Sequence, residues 1–448
     1  MNIGMSRECG LPRTLFVTPH AFNHLTGGGI TFSNLFRGWP QDRLATVHND
    51  YIPTTDDVCR QYYRLGQAEL DLWTPVRRAA NLLGMTPARD IAALAAAAGA
   101  PPGSAPPSWA RRIQSLLIDA EMPRSACLTP ALERWIEAFR PEVLYTILGS
   151  NGFMDLINLI RRRFDLPLVV HIMDDWASSA HRHGLLSPLQ RHGMNWRLQH
   201  FYNAAHTRLA ISDAMAETYS QRYGQPFSAL HNAIDIARWQ SLARRDATAS
   251  DKGNLLYIGS VMPQAQLSSL VDCCRAVADL HTGGRQISLS IASPQFQIDP
   301  VRHLLTIHPA IRILDPIEDD EQFFRSIAAA DALLLPVNFD EESIRFIRYS
   351  MPTKVPAYLF SGTPILAYGP GDLAQTRYAQ EAGWGLVVDR PDPAALKAGM
   401  ADILDNAALR DRLSQTARAL AAARHDISMV RQQFRSLLAG AAAAGAQA

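Results

Sequence analysis

The stretch SMPTKVPAYLFSGTPIL, Ser350 to Leu366, combines a cation, hydroxyl groups and rigid prolines at the predicted start of a helix. Lys354 stands between Pro352 and Pro356, and Gly362 ends the helix before an apolar strand. A helix start leaves backbone N–H groups without intrahelical partners, and such groups favour anions. Proline is tolerated there because few of those N–H groups need a partner. The stretch therefore predicts a corner that binds phosphate.

Further cations and hydroxyls stand close to Lys354 in the sequence NFDEESIRFIRYSMPTK. Arg345 and Arg348 precede it, and Ser350 or Thr353 can cap the helix. Guanidinium and ammonium groups form strong, charge-assisted hydrogen bonds with phosphate oxygens. We interpret these side chains as a diphosphate site, and the alternative is a surface loop with solvated arginines.

A second group of candidate residues closes the stretch LVVHIMDDW, Leu168 to Trp176. Strand alternation sends His171 and Met173 to the same face. Asp174 and Asp175 fall at the end of the strand, where carboxylates could orient sugar hydroxyls or act as acid and base. The alternatives are that one aspartate caps the next helix and that His171 is a core histidine. The histidines of HRHG (181–184) and His192 have no partner cluster typical of a metal site, so we predict no metal.

Glycines follow two predicted strands and could bring the backbone close to a ligand. Gly28 and Gly29 belong to a glycine run before a helix, and Gly259 and Ser260 end the strand LLYIGS. Tight turns without a ligand are the alternative. After the strand IRIL, the backbone near Ile317 lies where a nucleobase could dock, whereas the acidic residues that follow favour the start of a helix.

The composition excludes several classes of protein. The chain has 448 residues, 19% of them charged, and a net charge of +1, so we expect two or three globular domains and no nucleic-acid partner. Its five cysteines form no CxxC pair, which favours a reduced, cytoplasmic compartment. We expect no signal peptide, and no apolar stretch approaches the roughly 20 residues of a membrane span. Peripheral attachment to the inner membrane remains open.

Predicted strands and helices alternate along most of the chain, which indicates parallel sheets covered on both faces. We predict an α/β fold with two Rossmann-like, doubly wound domains facing across a cleft. The N-terminal domain covers 1–231, with a helical insertion at about 56–119 that contains a flexible loop, and the C-terminal domain covers 232–408. A long helix and a frayed, alanine-rich tail complete the chain at 409–448. Ligands in such sheets bind beyond the carboxyl ends of the strands.

These motifs recur in an order that resembles bacterial GT-B glycosyltransferases of the family 4 type. They are the strand–GGG–helix opening, ISDAM, LHNAID, LLYIGS, ADALLLP and SMPTKVPAYLFSGTPIL. The resemblance implies transfer of a sugar from a nucleotide-diphosphate donor, with retention and without an essential metal. It also implies that Gly28 and Gly29 approach the donor phosphate or the acceptor. Gly259 and Ser260 would flank the diphosphate, and Thr353 and Lys354 would bind phosphate or the transferred sugar.

Three groups that usually bind ligands in the family are replaced in this sequence. GSVMPQAQ lacks the usual basic pair, and Tyr349 and Ala357 stand where glutamates are usual, the second of which commonly holds the donor ribose. Met173-Asp174 replaces a frequent His-Asp. In an active enzyme, other residues close to these positions would take over the roles of the missing groups.

The expected substitutes are cations, carboxylates and a histidine that the same stretches supply. They are Arg345, Arg348 and Lys354 for the basic pair, Glu341 or Glu342 for the glutamate, and Asp174 or His171 for the histidine. A chain that has lost catalysis would keep only the fold. We prefer the active interpretation because the cleft still collects cations, carboxylates and glycines.

The expected function is therefore transfer of a sugar from a UDP- or GDP-linked donor to a saccharide or lipid-linked acceptor in surface polysaccharide or glycoconjugate synthesis. No cofactor is expected, since the nucleotide sugar is a substrate. The alternatives are a non-catalytic interaction protein with the GT-B fold and, less favoured, a sugar-nucleotide epimerase.

Overall fold

The computed structural model describes residues 10–23, 27–66, 68–71, 125–246, 248–250, 252–317 and 319–446. The strands of its first half are β1 (Thr14–Val17), β2 (Leu44–His48), β3 (Gln61–Arg64), β4 (Leu70–Asp71), β5 (Ser125–Ala126), β6 (Val143–Ile147), β7 (Leu168–Ile172), β8 (Thr207–Ala210) and β9 (Ser228–Ala229). Seven of them form a parallel sheet in the order β3-β2-β1-β6-β7-β8-β9, and β4 pairs with β5.

Helices cover the faces of this first sheet. They are α1 (Gly27–Phe36), α2 (Pro130–Phe139), α3 (Asn151–Phe164), α4 (Trp176–Ser179), α5 (Ser187–Ala204), α6 (Asp213–Tyr223) and α7 (Ile236–Trp239), with a 3₁₀ turn at Gln41–Arg43. Because both faces are covered, β1, β2 and β7 are buried along their whole length. Ser212 caps α6 by accepting a hydrogen bond from the Met215 N–H at 3.2 Å, as its sequence predicts.

The second half repeats this architecture. Its six-stranded parallel sheet has the order β12-β11-β10-β13-β14-β15. The strands are β10 (Asn254–Ile258), β11 (Ser288–Ala292), β12 (Ile311–Leu314), β13 (Ala332–Pro336), β14 (Ile365–Tyr368) and β15 (Leu386–Val388). The strand order reverses beside β1 in the first sheet and beside β10 in the second. Ligand crevices form at such reversals, so the loops after these two strands hold the candidate site.

Ten helices accompany the second sheet and close the chain. They are α8 (Leu267–Thr282), α9 (Gln295–Ile298), α10 (Arg302–Leu305), α11 (Asp320–Ala329), α12 (Glu341–Ile347), α13 (Val355–Ser361), α14 (Ala374–Ala382), α15 (Pro393–Asp405), α16 (Ala407–Arg424) and α17 (Ile427–Gly445), with a 3₁₀ turn at Asp299–Val301. These counts concern the described ranges only. The predicted boundary after residue 231 falls in the connection between β9 and β10, and the one after residue 408 falls at the start of α16.

The predicted helical insertion at about 56–119 is wrong where the structure describes it. Residues 61–64 form the edge strand β3, which pairs in parallel with β2, and residues 70–71 form β4. The sequence QYYR of β3 carries two aromatic residues, a type that favours a half-buried strand over a helix. Residues 72–119, including the predicted flexible loop, lie outside the described residues.

The prediction of one long helix with a frayed tail is also wrong. The helix is interrupted at His425 and Asp426, and a separate helix, α17, extends from there to Gly445. Phe434, Leu438 and Ala441 are fully buried in a cluster with residues of β1, α1 and β6. Alanine has the highest helix propensity, and one apolar face docks on the first half, so the alanine-rich end stays helical.

Candidate active site

A cleft between the two halves contains a cavity of about 810 Å³ at the reversal points of both sheets. We call it the Lys354 cavity. Loops after β1, β9, β10, β11 and β12 reach it, as does the start of α13. Its lining includes Gly27, Asn232, Gly259, Ser260, Ile317, Asp319, Asp320, Thr353, Lys354 and Ala357. Four predicted site residues therefore share one cavity with Lys354: Gly259, Ser260, Ile317 and Thr353.

Lys354 is the cation of this cavity. Its Nζ donates a hydrogen bond to the Ile258 carbonyl at 2.8 Å and lies 4.0 Å from the centroid of the Tyr257 ring. The side chain as a whole is half-buried, but its ammonium end is enclosed by these groups. Burial lowers the pKa of Lys354 to about 7, and no charged group opposes this effect among the described residues. A bound anion would favour the charged form.

Gly259 makes room for that ammonium group. Its φ is +145°, and a Cβ atom added there would lie 2.8 Å from Lys354 Nζ. Only glycine satisfies both the backbone conformation and the close approach. The loop after β10 and Lys354 therefore form one unit, although 95 positions separate Gly259 from Lys354 in the sequence.

The glycine run contributes differently from the prediction. Gly27 lines the cavity, and a Cβ atom there would lie 3.4 Å from Thr353 Oγ1 of the other half. Gly28 and Gly29 do not line it. Gly29 is buried, and an added Cβ atom would clash with the Asn23 side chain at 2.4 Å, so its role is to let α1 pack closely.

The helix after Lys354 is short. It covers Val355–Ser361, with Lys354 itself in the N-cap position and no side-chain cap. The predicted capping by Ser350 or Thr353 is therefore wrong. Pro356 has no N–H group to offer, so the cation of Lys354, more than the helix start, can attract an anion. Gly362 ends the helix at φ +78°, as predicted.

Asn232 is a site residue that the sequence interpretation missed. It is buried, and its Nδ2 donates to the Met351 carbonyl across the cleft at 3.0 Å. Its Oδ1 is buried without a hydrogen-bond partner among the described residues. An unpaired buried acceptor is costly, so a ligand hydroxyl would find a partner there. Its position directly after β9, in LHNAID, was the available signal.

The carboxylates at the cavity are Asp319 and Asp320, and neither Glu341 nor Glu342 lines it. Asp319 caps α11 by accepting from the Gln322 N–H at 2.7 Å, as the helix-start interpretation of this acidic run predicts. Asp320 forms an ion pair with Arg238 at 3.0 Å. Ala357 also lines the cavity. Glu341 and Glu342 do not line it, so neither of them supplies the carboxylate that is missing at Ala357.

Arg345 and Arg348 lie apart from Lys354. They line a second cavity of about 350 Å³ between the halves, which we call the arginine cavity, together with Asp175, Arg182, Arg222 and Glu341. Arg348 pairs there with Asp372 at 2.6 Å. The predicted cluster of three cations is therefore divided between two cavities, because α12 carries both arginines toward α4 of the first half.

Asp175 is a structural residue in its observed contacts. It is only 2% exposed, pairs with Arg222 at 2.9 Å and accepts hydrogen bonds from Tyr219 and Ser178. Burial alone would raise the pKa of Asp175, but the hydrogen bonds and charge of Arg222 lower it below its usual value. All of its visible contacts stabilise the chain between β7 and α6.

Asp174 and His171 differ in their exposure to solvent, and neither shares the ion pair of Asp175. Asp174 is exposed, and within the described residues it accepts one long hydrogen bond, 3.3 Å, from the Trp176 N–H. His171 is buried, with Nδ1 2.8 Å from the Tyr145 hydroxyl, and burial lowers its pKa to about 3. His171 lines neither cavity, which favours the alternative of a core histidine.

No group of three or more His, Cys, Asp or Glu side chains within the described residues is arranged to hold a metal ion. Across the same residues, none of the helices combines the length and apolar character needed to cross a bilayer.

A model of the family described as Glycosyltransferase Family 4 matches residues 76–238. HepE of Anabaena, solved with UDP-glucose, is 12% identical, with 95% of this chain and 99% of that chain covered and a TM-score of 0.55. Sucrose-phosphate synthase of Thermosynechococcus elongatus is 14% identical, with 96% and 99% covered and a TM-score of 0.61. WaaG, a glycosyltransferase involved in lipopolysaccharide biosynthesis, is 13% identical, with 95% and 100% covered and a TM-score of 0.57.

No curated protein sequence matches the chain significantly. The structural matches extend over nearly the whole length of both chains, and they show the fold. The family match adds sequence similarity in the first half. The chain therefore has the two-domain GT-B fold, and its predicted resemblance to family 4 glycosyltransferases is confirmed.

Proposed function

We propose that the protein is a glycosyltransferase that moves a sugar from a UDP- or GDP-linked donor to a saccharide or lipid-linked acceptor, in surface polysaccharide or glycoconjugate synthesis. The observation that carries the proposal is the pairing of Lys354 with Gly259 in a large cavity at the reversal points of both sheets. An enclosed ammonium group beside a backbone cradle suits a diphosphate, because a bound anion would favour the charged form of Lys354 that burial disfavours.

The donor would lie along the second half of the cavity. Its diphosphate would contact Lys354, Ser260 and the backbone at Gly259, and its base would lie beside Ile317. The sugar would then face Thr353 and Gly27, with the unpaired Oδ1 of Asn232 available to a hydroxyl. The groups that line the cavity support each of these proposed placements.

Lys354 would act on the leaving group. As the bond from the sugar to the diphosphate breaks, negative charge grows on the diphosphate, and a fixed ammonium group nearby stabilises it. Retention of configuration, no cofactor and no essential metal are part of the proposal by resemblance. In the exposed position next to the cleft, Asp174 would orient the acceptor.

A cytoplasmic location with peripheral contact to the inner membrane also belongs to the proposal. Cys59, Cys127, Cys273 and Cys274 are free thiols, which suits a reducing compartment.

A panel of UDP- and GDP-sugars tests the function, with donor hydrolysis and transfer to saccharide acceptors as the measurements. We expect one donor to be consumed by the wild type and by Lys397→Ala, whose lysine pairs with Asp279 on the surface. Lys354→Ala should lose this activity. Absence of any nucleotide-diphosphate binding by calorimetry would refute the proposal.

A non-catalytic interaction protein is the second candidate, and Ala357 favours it, because the cavity has no glutamate at that position. The two candidates differ in turnover. Nucleotide binding without hydrolysis or transfer of any donor, together with an unchanged biological output of Lys354→Ala, would favour the interaction protein.

A further inference from the structure

A third cavity between the halves adjoins the Lys354 cavity. Its volume is about 610 Å³, which lies within the range of pockets that bind small molecules. We call it the Ser33 cavity. Residues of α1 and α17 line it from the first half, residues of α11 line it from the second, and the connection after β9 lies between them. Thr353 and Ala357 line both cavities, so one ligand could extend from the first into the second.

Ser33 places an unpaired hydroxyl group at this cavity. The residue is 1% exposed, and its Oγ forms no hydrogen bond among the described residues. The Lys354 cavity contains a similar group, the buried Oδ1 of Asn232. No other described residue that lines either cavity has a buried side-chain oxygen or nitrogen without a partner. Because such groups are costly, hydroxyl groups of a ligand that extends through both cavities would find a partner in each.

The charged side chains of the Ser33 cavity do not favour an ionic ligand, because guanidinium groups and carboxylates line it in equal number. They are Arg37, Arg238, Arg431, Asp235, Asp319 and Asp320. Asp320 pairs with Arg238 at 3.0 Å, and Arg431 donates twice to a backbone carbonyl of α1. Asp235 and Asp319 each accept a hydrogen bond from a backbone N–H group at the start of a helix. A polar ligand without net charge therefore fits this cavity best.

The rest of the lining includes large apolar and aromatic side chains. Ile30, which is 37% exposed, and Phe323 line both cavities. The ring of Trp239 stacks on that of Phe324, with 5.2 Å between the centroids. Ligand pockets typically combine such apolar walls with a few polar groups that fix the orientation of the ligand. A saccharide matches both, since its hydroxyl groups alternate with apolar C–H surfaces.

We infer that the Ser33 cavity binds sugar units of an uncharged saccharide acceptor, next to the unit that receives the transferred sugar, with one hydroxyl group at Ser33 Oγ. This inference rests on the proposed transferase function, and it narrows the acceptor to a neutral saccharide of at least two units. In the proposed placement of the donor, the transferred sugar faces Thr353, which also lines the Ser33 cavity. The two substrates would therefore meet at Thr353.

Saturation-transfer NMR of the full chain tests the inference with neutral disaccharides as probes: maltose, cellobiose, lactose, chitobiose and mannobiose. We expect at least one of them to bind, and to stay bound when UDP or GDP is added to saturation. Ser33→Ala should weaken this saccharide about fivefold, the scale of one hydrogen bond. The same substitution should leave the affinity for the nucleotide unchanged, because Ser33 lines the Ser33 cavity and not the Lys354 cavity.

Ser326→Ala is the matched control. Ser326 lies on α11, lines neither cavity and donates to the Gln322 carbonyl. This variant should bind the saccharide like the wild type. Equal saccharide affinity of Ser33→Ala and the wild type would overturn the site.

Thermal unfolding without ligand separates a ligand contact of Ser33 from a structural one. Because its hydroxyl group has no partner among the described residues, Ser33→Ala should unfold at the temperature of the wild type or above it. A lower unfolding temperature would show that the hydroxyl group stabilises the fold, and it would overturn the assignment to a ligand.

The remaining outcomes are equally decisive. Absence of binding by all of the disaccharides would overturn the inference, and so would displacement of the saccharide by the nucleotide, which would place it in the Lys354 cavity. Tighter binding of the acidic 3′-sialyllactose than of every neutral probe would overturn the choice of an uncharged ligand. If a nucleotide diphosphate binds but no saccharide does, this inference fails while the proposed function stands. If a saccharide binds and no nucleotide diphosphate does, the proposed function fails instead.

Discussion

The Lys354 and arginine cavities between the halves differ in the groups that surround their positive charges. In the Lys354 cavity, one ammonium group is enclosed by aromatic rings and a carbonyl, and burial lowers its pKa to about 7. In the arginine cavity, several guanidinium groups lie together, and carboxylates already neutralise two of them. A buried cation without a carboxylate is costly, so it gains most from an anionic ligand.

The same contrast separates the two neighbouring aspartates. Asp175 is buried in a network with Arg222, Tyr219 and Ser178, whereas Asp174 is exposed beside it. Charges in such a paired network maintain the fold. The comparison therefore assigns a structural role to Asp175, whereas the exposed Asp174 makes one long hydrogen bond among the described residues.

Lys354→Ala gives the largest expected effect. Loss of the ammonium group should reduce transferase activity by about 100- to 1,000-fold, since fixed charge at a leaving group contributes on that scale. Initial rates with the preferred donor measure it. Lys397→Ala is the control, and equal losses in both variants would contradict the special role of the enclosed lysine.

Asp175→Asn should destabilise the protein by about 3 kcal/mol, because removing one partner of a buried ion pair leaves the other uncompensated. Denaturant unfolding measures the free energy. Because the pKa of Asp175 is lowered in the folded protein, its contribution is present near neutral pH and is lost on acidification.

Asp174→Asn provides the matched comparison. It should leave the free energy of unfolding within about 0.5 kcal/mol of the wild type, as for exposed positions in general. A similar destabilisation by both substitutions would remove the distinction between the two aspartates.

Gly259→Ala should weaken binding of the donor nucleotide at least tenfold. The added methyl group would lie 2.8 Å from Lys354 Nζ and displace it. Gly284 also has a positive φ, +95°, so Gly284→Ala would strain the backbone as well. Among the described residues, no atom beyond its chain neighbours would lie within 4 Å of a Cβ atom added there. Calorimetry should show normal nucleotide binding for Gly284→Ala, and if it too binds weakly, backbone strain and not crowding at Lys354 is the cause.

Nucleotide binding should also depend on pH. Lys354 is charged below a pKa of about 7 and neutral above it. Affinity should therefore fall as the pH rises from 7 to 9, by up to tenfold per unit if the charge is essential. The same titration of Lys354→Ala should lack this decline, and a parallel decline in both proteins would attribute it to another group.

Much of the fold could be predicted from the sequence because alternating apolar strands and amphipathic helices are local signals. Lys354, Gly259 and Ile317 could be placed for a related reason, since loops after parallel strands meet at one edge of a sheet. The strand β3 and the helical alanine-rich end were missed. In the first, a short run of aromatic residues outweighs its helix-prone surroundings, and in the second, docking on the first half stabilises the helix.

The division of the cations could not be predicted, because it depends on contacts between distant segments. Arg345 and Arg348 are within ten residues of Lys354, yet α12 packs against α4 and carries them into the other cavity. Likewise, Arg222 follows Asp175 by 47 positions, and only the folded structure brings them into a pair. Asn232 was missed because the sign of its role is a buried Oδ1 without a hydrogen-bond partner among the described residues, which a sequence does not show.

The two connections between the halves are joined to each other. One leaves the first half after β9, and the other returns to it between α16 and α17. At their crossing the Ile234 N–H donates to the His425 carbonyl, and the Ile427 N–H donates to the Ile234 carbonyl.

We expect this double connection to act as a pivot. Rotation of the halves about it would keep both hydrogen bonds, whereas sliding of one half past the other would break them. Amide hydrogen exchange offers a direct check, since the N–H groups of Ile234 and Ile427 should stay protected with and without nucleotide while those at the cleft mouth change.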